Sequence, residues 1–252
     1  MNATASLAQA VAALPPVALD ELNAAAALLG RTDRKYFVPR HLVGPLVAAL
    51  DGVRALRIDG RRSFGYDSVY FDTPDLSTYR AHLQRRRLRY KVRTRSYLDS
   101  GDCLLEVKLK GSRGATVKQR LRYEFADRDQ LTAHGLGFVH RTLRDAYGLA
   151  APPLRPVLRT SYRRTTLLAP DGASRLTCDT DLLCLGGGRA VPGLSDHVLL
   201  EVKSAAATAP PDRVLHRMGL RPAVVSKYCV AVAMLHPAMR SNPWRRAVRL
   251  CF

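Results

Sequence analysis

Residues 88–110 alternate with a period of two. Arg89, Lys91, Arg93 and Arg95 take every second position, with Tyr90, Val92 and Thr94 between them. Successive side chains of a strand point to opposite faces, so this spacing gathers four cations on one face, whereas a helix would scatter them around its axis. Asp99, Ser100, Gly101 and Asp102 predict a turn. The return strand then sets Glu106, Lys108 and Lys110 on one face and Leu105, Val107 and Leu109 on the other. A hairpin with one apolar and one densely cationic face must offset its self-repulsion, either by solvation or by binding a polyanion.

The same period predicts further strands. Over residues 31–38, Arg31, Asp33 and Lys35 alternate with Thr32, Arg34 and Tyr36, and Pro39 closes the run. Residues 66–71 form a second strand, residues 116–125 carry Lys118, Arg120, Arg122 and Glu124 on one face, and residues 157–168 carry Arg159, Arg163 and Arg164. Residues 175–184 alternate Arg175, Thr177, Asp179 and Asp181, Gly186 to Gly188 predict a flexible turn, and residues 197–204 make the last strand. Helical spacing marks residues 41–50, and residues 129–147 up to Gly148. A short helix is expected to start at Asp72-Thr73-Pro74 and run through Leu76, Tyr79 and Leu83, since proline suits an early helical position. Residues 1–29, broken at Pro15 and Pro16, read as two short helices, the second over 19–29. Helix resumes from Pro211, and Ser226-Lys227-Tyr228 open the final one.

LLEVK occurs twice, at Leu104 to Lys108 and at Leu199 to Lys203, each time in a strand whose polar face carries Glu then Lys. The repeat suggests two halves facing each other across a shared polar interior. So many antiparallel strands with a charged face cannot all turn that face to an ordinary core. A closed barrel resolves the conflict if the charges line the inside and the helices pack outside. The expected fold class is therefore α+β, an antiparallel β-barrel with a basic interior.

Charge sharpens the picture. The 252 residues hold 40 Lys and Arg against 21 Asp and Glu, a formal net charge of +19 that points toward phosphate-rich partners. The five cysteines, Cys103, Cys178, Cys184, Cys229 and Cys251, include no Cys-x-x-Cys pair, which argues against a disulfide framework or zinc site and for reduced thiols in a cytoplasm. No run of about 18 uncharged apolar residues predicts a membrane span. The first residues lack the basic stretch of a signal peptide. P-loop, Rossmann and Gly-x-Ser-x-Gly motifs are absent, and the histidines are scattered.

What remains is cations at strand spacing with a few carboxylates among them. Guanidinium forks bind phosphate oxygens bidentately and lysine adds point charge. Asp33, Glu106, Glu124, Asp179, Asp181 and Glu201 are candidates to hold Mg²⁺ or Mn²⁺, which takes oxygen ligands together with substrate phosphates. Glu106 and Glu201 serve equally well to neutralise neighbouring lysines, and Asp179 and Asp181 suit a metal, a turn or an ion pair. Tyr70, Phe71 and Tyr79 read as core, and the C-terminal run with Trp244 among arginines reads as a frayed tail.

Arg34-Lys35-Tyr36, YFDTPDL (Tyr70 to Leu76), KVRTRSY (Lys91 to Tyr97), LLEVK, LRTSYRRTTL (Leu158 to Leu167), RLTCDTDL (Arg175 to Leu182), the second LLEVK and Ser226-Lys227-Tyr228 follow in that order. In this the chain resembles the polyphosphate polymerase (VTC) domain of the vacuolar transporter chaperone complex, in its stand-alone bacterial form. The resemblance spans residues 31–236, between an N-terminal helical segment, 1–30, and a basic C-terminal tail, 237–252. It implies the triphosphate tunnel fold, a barrel whose basic interior binds ATP or inorganic polyphosphate with Mn²⁺ or Mg²⁺. Carried over by motif, Lys35, Arg93, Arg95, Lys108, Lys118, Arg164, Arg175 and Lys227 are the tunnel cations. Lys35, Arg93, Arg95, Lys108 and Lys227 are the ones nearest the chemistry, and Glu201 is the metal ligand. Arg89, Lys91, Arg120 and Lys203 join the substrate-binding set because they share these strand faces. At one position the two lines of reasoning differ: alternation from Arg159 favours Arg163, the motif favours Arg164.

The wider superfamily opens with Glu-x-Glu-x-Lys, where this chain has Arg31, Asp33 and Lys35. The missing first glutamate weakens a triphosphatase reading and leaves the polymerase standing. The expected function is transfer of the γ-phosphoryl group of ATP to a growing polyphosphate chain, in the cytoplasm and with no specific nucleic-acid partner. The alternatives are a triphosphatase of the same fold, or a non-catalytic module that binds polyphosphate or nucleic acid.

Overall fold

The structure, a computed structural model, describes residues 2–25, 32–111 and 116–252. In chain order its first half comprises α1 (Ala3–Val11), β1 (Pro16–Val17), α2 (Leu19–Ala25), β2 (Thr32–Pro39), α3 (Arg40–Ala49), β3 (Arg54–Leu56), β4 (Ser63–Asp72) and α4 (Ser77–Leu83). The hairpin β5 (Tyr90–Tyr97) and β6 (Asp102–Lys110) follows, then β7 (Thr116–Tyr123) and α5 (Ala133–Tyr147). The second half holds β8 (Arg155–Leu168), β9 (Arg175–Gly186), β10 (Arg189–Gly193), β11 (His197–Ser204), α6 (Pro210–Arg217), α7 (Lys227–Leu235) and α8 (Arg245–Cys251).

All eleven strands belong to one sheet, whose main path runs β2-β11-β9-β8-β4-β5-β6-β7. Every pairing along this path is antiparallel. The two end strands, β2 and β7, are not joined by a ladder among the described residues, so hydrogen bonding leaves the sheet open. The sheet is nonetheless strongly curled. Lys108 on β6 and Glu201 on β11 are five strand steps apart, about 24 Å across a flat sheet at ~4.8 Å per step, yet the Glu201 charge acts on Lys108. Lys35 on β2 likewise acts on Lys91 on β5. The two LLEVK copies thus face each other across the concave side.

Apolar residues at the alternate positions carry the outer packing. Tyr36, Val38, Leu176, Cys178, Val198, Leu200 and Val202 meet α1, α3 and α6. Val92, Leu105, Val107 and Leu109 meet Val139 and Leu143 of α5. A third cluster lies on the concave side: Phe37, Tyr70, Tyr162, Leu182 and Leu199 pack with Tyr79 of α4, residues 228–232 of α7, and Trp244, Ala247 and Cys251. Helix α7 therefore covers one end of the concave face. The expected frayed C-terminus is instead helical from Arg245, with Trp244 only 5% exposed. The indole packs against the Tyr79 ring, 5.3 Å between ring centres, which anchors the tail to the concave-side cluster.

Other differences are local. The helix expected at Pro74 starts at Ser77, because Asp72 reaches forward to accept hydrogen bonds from the Thr78 and Tyr79 amides and the Thr78 hydroxyl. The helix expected from residue 129 starts at Ala133, capped by the Thr132 hydroxyl, and ends at Gly148 as expected. Strands β1, β3 and β10 are too short to show a period, and β10 pairs with β9 through a turn at Gly187 and Gly188, both at positive φ. The expected extension of α2 over 26–29, and Arg31, lie outside the described residues. All five cysteines are free and buried. No helix among the described residues is long and apolar enough to cross a membrane.

Candidate functional site

Residues directly opposite each other in an antiparallel ladder share a face, and the registers gather most of the expected cations on the concave one. Lys91 opposes Lys108, which opposes Lys118; Arg93 opposes Glu106, which opposes Arg120. On the other flank Lys35 opposes Glu201, Lys203 stands between Asp33 and Arg175, and Arg164 opposes Asp179. Lys227, the first residue of α7, reaches into this face, where its ammonium ion pairs with Asp179.

Three carboxylates organise the cations. Glu106 is fully buried and accepts two hydrogen bonds on one oxygen from Arg93, at 2.8 and 2.6 Å. Arg120 and Lys118 approach its other oxygen at 3.3 and 3.4 Å, and Arg95 lies at 3.9 Å. Burial alone would raise this carboxyl, but Arg93, Arg95, Lys118 and Lys108 outweigh it and hold it far below the usual carboxylate range. Asp179, also buried, takes a bidentate fork from Arg164 at 2.6 and 2.8 Å. Against the effect of burial, Arg164 and Lys227 lower it to about 2. Glu201 bridges Lys35 at 3.1 Å and Lys203 at 2.6 Å, one on each oxygen. Burial opposes ionisation there too, and the two lysines win.

The remaining cations are under-compensated. The Arg95 side chain is 12% exposed and its Nε has no hydrogen-bond partner, 3.9 Å being too far from Glu106 for one. Lys108 makes no ion pair within 4.0 Å among the described residues, and the positive charges of Arg93 and Arg95, together with burial, depress its pKa well below the lysine value. Burial lowers Lys118 to about 8 and Lys203 to about 8, against the pull of Glu106 and Glu201 respectively. Lysines whose charge is disfavoured by burial and by neighbouring arginines mark a face of unmatched positive potential, suited to an anion of high charge.

Beneath these cations lies a floor of tyrosines that sequence reasoning missed as part of the site. Arg164 stacks over Tyr66 and Tyr162, Arg95 over Tyr66, Arg93 over Tyr70, and Lys227 sits 4.2 Å from the Tyr162 ring centre. Tyr70 also accepts a hydrogen bond from Arg93 at 3.1 Å, so it serves core and site at once. The signal was present: Tyr66, Ser68 and Tyr70 share the parity that the ladder matches to Arg95 and Arg93. Phe71 and Tyr79 are core, as expected.

Several expected residues lie elsewhere. Arg164, not Arg163, faces inward. Alternation from Arg159 was sound, but Arg159 lies on the outer face, ion-paired with Asp67 and Asp129, and Arg163 shares that face beside Ser63. Asp181 leaves the site because the β8–β9 register slips between Ser161 and Arg163. The bulge puts Asp181 at φ 50°, exposed, with the Thr4 hydroxyl as donor. Glu124 follows the end of β7 and is exposed. Arg89 precedes β5, and its guanidinium donates to the carbonyls of Arg85 and Arg86.

Among the described residues no three His, Cys, Asp or Glu side chains cluster as a metal site. The donor set fits a divalent cation only if Glu201 is its one carboxylate and phosphate oxygens and water complete the shell.

None of the curated proteins matches the chain. Among solved structures, the chain is similar to HpAC1 from Hippeastrum, an adenylyl cyclase candidate described as having a dominant triphosphatase activity. The identity is 17%, the TM-score 0.49, and the match covers 82% of this chain and 96% of that one. An adenylate cyclase candidate from Vibrio parahaemolyticus shows 11% identity and a TM-score of 0.43, over 79% of this chain and 96% of its own. The PH1012 protein from Pyrococcus horikoshii OT3 shows 13% identity and a TM-score of 0.38, over 76% and 91%. The VTC domain matches residues 30–236, from the start of β2 through α7 and therefore every strand of the cationic face. With most of its length inside that match, the chain belongs to the VTC domain family.

Proposed function

We propose that this protein is a polyphosphate polymerase, transferring the γ-phosphoryl group of ATP to the end of an inorganic polyphosphate chain and releasing ADP. The observation that carries the reading is the excess of cations on the concave face, above all Arg95, whose Nε has no hydrogen-bond partner, and Lys108, which makes no ion pair within 4.0 Å among the described residues. A chain of phosphates supplies negative charge at repeated intervals, as strands supply cations every second residue. Membership of the VTC domain family supports the same substrate class.

In this mechanism a terminal oxygen of the acceptor chain attacks the γ-phosphorus, the bond to the β,γ-bridging oxygen breaks, and ADP leaves with that electron pair. The attacking oxygen is already ionised near neutral pH, so no general base is required, and catalysis rests on positioning and charge stabilisation. Arg95 offers its guanidinium to phosphoryl oxygens over the Tyr66 ring, while Arg93 and Arg164, whose forks are held by Glu106 and Asp179, add fixed positive charge. Lys35, Lys108 and Lys227 supply point charge to the transferred and leaving groups. Lys91, Lys118, Arg120, Arg175 and Lys203 bind the flanking phosphates. Mn²⁺ or Mg²⁺ bound by Glu201 and the substrate would add Lewis acidity and charge neutralisation. A need for ATP, together with five free thiols, fits a cytoplasmic setting.

The test is incubation of the purified protein with ATP and Mn²⁺ or Mg²⁺, measuring chain product and free phosphate separately. Chain product is the expected result. Free phosphate alone makes the protein a triphosphatase, and neither product makes it a binding module.

A further inference from the structure

The proposed reaction leaves one strongly charged feature without a role: the run Arg85-Arg86-Arg87-Leu88-Arg89 between α4 and β5. Arg85, Arg86 and Arg87 are exposed, and none of the four arginines has a carboxylate partner among the described residues. Their contacts are Arg86 to the Gln84 side chain and Arg89 to the carbonyls of Arg85 and Arg86. A solvated arginine run is commonplace, but this one is tied to the site. The Arg89 guanidinium clasps the loop from one side. From the other, His82, at the end of α4, hydrogen bonds the Tyr90 carbonyl through Nε2 and accepts from the Lys91 ammonium at 3.3 Å through Nδ1. Arg89 is also among the charges that act on Lys91.

Exposure increases outward from Arg93. Arg93 is buried, Lys91 and Arg89 are half-buried, and Arg87 is exposed. Arg95, Arg93, Lys91 and Arg89 recur every second residue, so they span about 20 Å at ~3.3 Å per residue. The path follows β5 from the concave face to the loop that joins it to α4.

We infer that Arg85, Arg86 and Arg87 form an outer landing site for the distal part of a long polyphosphate chain whose inner end lies on Lys91, Arg93 and Arg95. The inference rests on the polymerase reading of the same face and adds a length preference to it. A short triphosphate fills the inner cations and never reaches the loop, whereas a chain of many phosphates gains three further charge contacts.

The test compares the full chain with the triple variant Arg85→Asn, Arg86→Gln, Arg87→Gln. Asparagine is chosen because Arg85 sits at φ 55°, which it tolerates. Equilibrium affinities are measured for tripolyphosphate and for polyphosphate of roughly 100 units, over a range of salt. Counterion release predicts that the variant loses tenfold or more in long-chain affinity, with a shallower salt dependence, while tripolyphosphate affinity is unchanged. Unchanged long-chain affinity overturns the inference, as does an equal loss for both ligands. A parent that binds tripolyphosphate as tightly as the long chain overturns it too, with the inner site intact. A parent that binds neither ligand removes the polymerase reading itself. Loss of binding to phosphatidylserine vesicles or single-stranded DNA, with long-chain affinity kept, would reassign the arginines and likewise overturn the proposal.

Discussion

Replacing Glu106 by glutamine deletes one negative charge from the centre of the cationic face at almost constant shape. Glu106 is fully buried, and Arg93, Arg95, Lys118 and Arg120 all lie within 3.9 Å of its oxygens. Removing one partner of a buried ion pair costs about 3–5 kcal/mol, because the other charge is left without compensation. The glutamine oxygen still accepts from Arg93, so a loss near 3 kcal/mol, the lower end of that range, is expected. Urea unfolding at pH 7 reads this directly as a lower midpoint at an unchanged slope.

The same variant tests whether the face is an anion site. A bound phosphate chain supplies the missing negative charge, so tripolyphosphate should stabilise Glu106→Gln more than the parent. The pH dependence adds a check. The folded carboxyl lies below its unfolded value, so its stabilisation is complete above about pH 4.5 and shrinks as pH falls, and the gap between parent and variant should narrow in acid. An unfolding midpoint equal to the parent's, or equal stabilisation of both proteins by tripolyphosphate, would refute the reasoning.

Glu201→Gln should bind polyphosphate as well as or better than the parent yet lose ATP-dependent chain formation, measured across a Mn²⁺ titration; full turnover at limiting metal removes Glu201 from the site. Arg95→Ala should weaken ATP binding by roughly 1.5–3 kcal/mol, the worth of a charge-assisted hydrogen bond. Its urea midpoint should stay close to the parent's, because Arg95 has no hydrogen-bonded partner to orphan; calorimetry and unfolding on one sample decide this. Lys118 and Lys203, lowered to about 8, should make polyphosphate affinity fall as pH rises past 8. Binding near pH 8.5 should take up protons, seen as a buffer-dependent heat. The ligand-free protein should gain stability from about pH 8 toward the unfolded lysine value near 10.4, since the unfolded chain there holds more protons.

Much of this architecture is written in a period of two. The alternation around Arg93 and Arg95, the return strand through Glu106 and the two LLEVK copies are local patterns, because strand geometry assigns faces by parity alone. That is why both halves of the cationic face were legible before any contact was known. Parity says which residues share a face, however, and not which face turns inward. Arg159 and Arg163 alternate as faithfully as Tyr162 and Arg164, and only the packing of Asp67 and Asp129 against Arg159 shows theirs to be the outer face. Asp181 was lost to a one-residue bulge, which reverses parity without leaving a mark in composition. The partners of each carboxylate lay still further from view. Asp179 takes Lys227 from a helix 48 residues away, and Lys108 feels Glu201 across the curl of the sheet. Electrostatic partnership depends on distance in space and on exclusion of water, and both arise only when the sheet bends and the helices close over it.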